Sequence, residues 1–132
     1  MRVRAEPGRL SAPVVPPGWP PEVRPPGTPD WERTASAWLL DLCPPDYRAH
    51  EVLRRHPVVL ARFATHHVQA GVDAARRGLS TVRDDLRDVA DAQTVAAAVA
   101  AYEREGARLV VTLRAVGLVE EALRGRRFVA RL

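Results

Sequence analysis

Nine of the twelve prolines fall within the first 29 residues, and none follows Pro57. Proline fixes φ and removes a backbone donor, so the stretch from Pro13 to Pro21 can be neither a helix interior nor a central strand. The residues after Pro57 carry only glycine as a breaker. The chain therefore divides into an extended proline-rich arm, residues 1–28, and a helical domain, residues 29–132. Gly18, Gly27 and the paired prolines favour polyproline II and turns in the arm, with Trp19 and Val23 as apolar anchors expected to lie against the helices, the alternative being presentation to a partner.

The helical part has readable punctuation. Thr28 is expected as the N-cap of a first helix, with Pro29 at the first helical position and Asp30 and Glu32 in the first turn. Trp31, Ala35, Trp38, Leu39 and Leu42 share one face of it, so Trp38 is expected to be buried. Pro44-Pro45 stops that helix, a short one is expected over Asp46–Arg55, and Pro57 opens the next beside His56. From Val58 through Ala61, Thr65, Val68, Val72, Ala75, Leu79, Val82, Leu86 and Val89, spacings of three and four alternate as a heptad seam. The phase survives Gly71 and Gly78, which predicts one long helix with a kink expected, if anywhere, at Gly78. A second seam runs from Ala92 through Val95, Val99, Tyr102, Gly106, Leu109 and Leu113 to Val116. The aspartates at 84, 85, 88 and 91 place a reversal between the two, with Asp91 as N-cap. Gly117 is expected in the left-handed position after this helix, with Leu118 meeting Leu113. A last short helix over Leu118–Arg124 is expected to end at Gly125. No segment alternates with period two, so the fold class is all-α: a small helical bundle built on a long antiparallel helical hairpin.

Composition narrows function mainly by exclusion. A chain of 132 residues can bury one core without staples, and 46% hydrophobic residues are too many for a disordered chain. Lys, Asn and Ile are absent, and these residues have AT-rich codons, which points to a GC-rich bacterial genome. A pI near 10.5 ordinarily signals nucleic-acid binding. Here arginine replaces every lysine and raises the pI by itself, while the net charge is only +4. The basic start, Arg2 and Arg4, has no apolar stretch after it, and no run approaches the roughly 18 apolar residues of a membrane span. A cytoplasmic protein without a membrane partner is the expectation.

Nothing in the residues spells a reaction. The four histidines, His50, His56, His66 and His67, share no helical face pairwise, although His66 with Asp73 has the makings of an acid–base pair. The lone Cys43 excludes an internal disulfide and points away from a cysteine metal site. Its place at a helix C-terminus raises a thiol pKa, so it reads as a buried structural thiol. Walker, G-x-G-x-x-G and G-x-S-x-G motifs are absent, as is the Glu-x-x-His of di-metal bundles. The expectation is a non-enzyme with no catalytic, cofactor or metal residues. It would be an accessory or adaptor protein that binds another protein, with Trp19 and Val23 as partner-binding residues and self-association through the heptad seams as a further prospect. The alternative is an arginine-mediated nucleic-acid accessory, with Arg54, Arg55, Arg124, Arg126 and Arg127 contacting phosphate.

Overall fold

The computed structural model describes residues 14–126, in which every regular element is helical. Helix α1 is Trp31–Leu42, followed by a 3₁₀ turn over Pro45–Ala49; α2 is Glu51–Arg55, α3 is Pro57–Asp85 and α4 is Ala92–Leu123. The four helices pack together, and the most extensive contact is between α3 and α4.

The described part of the arm is not extended but folds into three successive turns, closed by Trp19 N–H to Pro16 O, Val23 N–H to Pro20 O and Thr28 N–H to Pro25 O. Two of them repeat one pattern, a proline pair followed by a glycine. Gly18 and Gly27 have φ of 93° and 86°, the third-position geometry of a type II turn that only glycine adopts without strain. The last of these turns also displaces the expected helix start. Thr28 is spent on it, its hydroxyl donating to Pro25 O at 2.5 Å. Asp30, at φ 66°, becomes the residue before the first helical one and makes no side-chain cap bond.

α1 buries Ala35 and Leu39, and the extended Cys43 behind it continues that four-residue stripe into the core. Trp38, expected to be buried, is half-buried on its flank. Ala61 and Ala64 are both fully buried in the cluster that α1 joins, so small residues occupy the contact line and the tryptophans fit only at its edges. The expected helix over Asp46–Arg55 is two pieces, because His50 adopts an extended conformation between the 3₁₀ turn and α2. Pro57 does open α3 next to His56.

α3 runs unbroken through Gly71 and Gly78, and the reason lies across the seam. A methyl group at Gly71 would sit 3.2 Å from Leu109 Cδ1, one at Gly106 3.6 Å from Ala75 Cβ, and one at Gly78 only 2.2 Å from Tyr102 Cε1. These glycines let two helices approach closely, and Tyr102 lies where a Gly78 side chain would be. At the start of α4, Asp91 Oδ1 accepts from Thr94 N–H at 2.8 Å, the expected cap. The bond from that N–H holds the Asp91 carboxyl below its ordinary value. A carboxylate whose folded pKa is lowered stabilises the fold above its unfolded pKa, and that contribution is lost as pH falls through the folded value. Asp91→Ala is therefore expected to lower the melting temperature at neutral pH, and the gap to wild type should begin to narrow only as pH falls below about 4.

Gly117 does not end the helix: α4 passes through it to Leu123. The cost of glycine in a helix, about 1 kcal/mol, is outweighed because Val119 and Glu120 beyond it are buried and Leu123 packs on the core. The stop comes at Gly125, φ 86°, where Gly125 N–H donates to Ala122 O and Arg126 N–H to Glu121 O. That is a Schellman motif in which an Arg126–Glu121 ion pair at 2.6 Å replaces the usual apolar contact. A methyl at Gly117 meets nothing within 4 Å. Gly117→Ala is thus expected to stabilise the protein by about 0.5–1 kcal/mol. Gly78→Ala should destabilise it by about 1–2 kcal/mol despite the same propensity gain, since the Tyr102 ring must move. In a Tyr102→Ala background the sign at Gly78 should reverse, a double-mutant cycle that thermal unfolding can read.

The core gathers at one end. Val23, Ala35, Leu39, Cys43, Leu53, Leu60, Ala61, Ala64, Val116 and Val119 form one cluster, with Trp19, Trp31 and Trp38 around it. Beyond it the long helices continue with little over them: α4 buries no side chain before Ala115.

Candidate protein-docking surface

Pro44 and Pro45 end α1 part-way along α3, and Cys43 before them is forced extended. Where α1 stops, the valley between the long helices opens as a groove of about 490 Å³, walled by Leu42, His67, Ala70, Ala74, Leu109 and Thr112. Two ion pairs sit at its rim. Arg48 Nη2 meets Asp41 Oδ1 at 2.7 Å. Arg108 grips Glu105 through Nε and Nη2 at 2.7–3.0 Å, which holds the Glu105 carboxyl below the usual carboxylate range.

His67 belongs both to this groove and to a ring cluster beside it. The two proline breaks fold the 3₁₀ turn back so that Tyr47 lands on α3. Its ring centroid lies 5.9 Å from Phe63, 6.1 Å from His67 and 6.5 Å from His50, each close to edge-on. Edge-to-face rings at such spacing attract through their quadrupoles. Phe63 is nevertheless 42% exposed, and both histidines are exposed. His67 joins groove and rings into one surface that mixes apolar and polar groups, with charge at its rim.

The residues expected from sequence to bind partners lie elsewhere. Val23 is 2% exposed and part of the core. Trp19 is half-buried, donates its indole N–H to Val23 O at 2.8 Å, and lies 6.4 Å from Trp31 between ring centroids. Of the arginines expected to contact phosphate, Arg55 pairs with Glu51 at 3.1 Å, Arg124 with Glu120 at 2.9 Å and Arg126 with Glu121. Arg54 donates to the carbonyl of Arg48. Arg127 lies outside the described residues. Glu120, nearly buried, also takes Arg62 at 3.1 Å and so ties α3 to α4. Burial pushes the Cys43 thiol up, against the opposing charge of Arg48, which suits a packing residue rather than a nucleophile. Asp73, the carboxylate considered for His66, accepts from Gln69 Nε2 instead. Among the described residues no three His, Cys, Asp or Glu side chains gather as metal ligands, and no helix is long and apolar enough to cross a membrane.

No protein family, curated protein or solved structure matches this chain. The surface itself is the guide to function. Sequence reasoning missed Tyr47 and Phe63 because they belong to different elements and meet only through two chain reversals. The one available signal was the four-residue spacing of Phe63 and His67 on a helix, which puts both on one face.

Proposed function

We propose that this chain is a small non-enzymatic accessory protein of the cytoplasm that works by binding another protein, through the Tyr47 ring cluster and the adjoining groove. The exposure of Phe63 carries the reading. An aromatic ring left 42% in water beside a groove of mixed polarity, with paired arginines at the rim, has the composition of an interface hot spot. On this reading the antiparallel α3/α4 hairpin, with the proline-rich arm wrapped over its base, is a rigid support for the surface. The arm contributes stiffness rather than a ligand. The alternative, arginine-mediated nucleic-acid binding, draws less support. Arg55, Arg124 and Arg126 each have a carboxylate partner that phosphate would have to displace.

The test compares three baits in extracts of the native cell: wild type, Phe63→Ser, and a variant with Arg54, Arg55, Arg124 and Arg126 all changed to Gln. A protein retained by wild type and by the arginine variant, lost with Phe63→Ser and stable to salt and nuclease, is the expected outcome. Retention that is unchanged in Phe63→Ser would end this reading. Nucleic acid retained by wild type and lost with the arginine variant would establish the alternative.

A further inference from the structure

The groove lies on the α1 side of the α3/α4 seam, and the opposite side raises a separate question. At 100° per residue, Val72, Arg76, Leu79 and Arg83 flank the seam there on α3, and Val99, Glu103, Ala107 and Val110 flank it on α4. The members of the core cluster on the long helices are Leu60, Ala61, Ala64, Val116 and Val119, so α1, α2 and the arm converge on the base and leave this stretch to itself. Val72 is already buried, whereas Leu79, Val99 and Val110 are only half-buried and Ala107 is exposed.

Its charges are arranged in a particular way. Ala75 lies opposite Gly106, and Gly78 opposite Tyr102, which puts Arg76 and Glu103 at nearly the same height on the two helices. Both are exposed, and neither takes part in an ion pair among the described residues. A cation and an anion at one height, on opposite flanks of an apolar strip, are self-complementary under a two-fold axis parallel to the helices. Such an axis sets α3 of each copy over α4 of the other, so Arg76 meets Glu103 twice. Arg83 then faces the stretch around Ala96–Ala100, and Arg114 the turn at Thr65–Gln69, so neither is set against another arginine. Every neighbouring helix pair in the resulting four-helix bundle is antiparallel, the favourable dipole arrangement.

We infer that this face joins two copies of the chain into a dimer. From Thr65 to Arg83 a helix rises about 28 Å, and two helices about 10 Å apart present a face roughly 20 Å wide. That is about 500–600 Å² per copy, just above the floor for a specific interface. The inference is independent of the docking surface, which faces the other way and stays open in the dimer.

Sedimentation of the full chain through the micromolar range tests it. Wild type is expected to move from dimer to monomer on dilution. Arg76→Glu and Glu103→Arg, each with unchanged circular dichroism, should each weaken association roughly tenfold or more, because each places like charges together twice. Mixing the two variants restores both pairs, so the mixture should form a heterodimer with affinity within about threefold of wild type. A wild type that is monomeric throughout overturns the inference. So do single variants that associate as tightly as wild type, or a mixture no tighter than either variant alone.

Discussion

Leu39→Ala is expected to lower the free energy of unfolding by about 3–4 kcal/mol, and Trp38→Ala, one residue earlier, by only about half as much. Leu39 is completely buried in the base cluster, and removing its side chain leaves a cavity there that cannot collapse far. Trp38 is larger but lies on the flank of α1, where its ring also borders a shallow surface depression with Thr34 and Asp41. Its truncation costs contact on one side and is relieved by water on the other. Urea unfolding of the two variants beside wild type reads the difference directly. A larger loss at Trp38 than at Leu39 would mean that α1 is rotated relative to the face described here.

The same pair of residues shows what the sequence could and could not say about the fold. The spacing of Trp31, Ala35, Trp38, Leu39 and Leu42 defines a helix and one broad apolar stripe. It does not locate the centre of the stripe, which is decided by what lies opposite. Ala61 and Ala64 allow close approach, and close approach selects Ala35 and Leu39. The all-helical class, the continuity of α3 through two glycines and the Asp91 cap were legible, because each follows from local periodicity or a short-range hydrogen bond. Gly117 was misread for the converse reason. Its local signature is that of a helix end, and only the packing of Val119, Glu120 and Leu123 on the base overrides it. The candidate site was almost wholly illegible. Tyr47, His50, Phe63 and His67 converge through the geometry of Pro44-Pro45 and Pro57, and no pattern within one element encodes that meeting.

The arm provides the second large effect. Val23→Asp is expected to destabilise the protein by about 3 kcal/mol or more, since it would place a carboxylate without a partner in the buried apolar cluster. Trp19→Ala should cost about 2–3 kcal/mol, through loss of the ring contact with Trp31 and of the indole bond to Val23 O. Val14→Asp, at a position 61% exposed, should stay within about 0.5 kcal/mol of wild type. The gradient follows from how the arm is held. Its turns close on themselves, and Arg24 N–H reaches Thr34 Oγ1 on α1 at 3.0 Å, so burial of Pro20, Val23 and part of Trp19 supplies most of the attachment. Prolines reduce what that burial must offset, because a chain already restricted in φ loses less entropy on ordering. Thermal and urea unfolding of the three variants give the ranking. If Val23→Asp unfolds at the wild-type midpoint, the arm is not part of the fold. Trp19 and Val23 would then be free to act as a ligand for another protein, and the docking role proposed for the Tyr47 surface would have a competitor within the same chain.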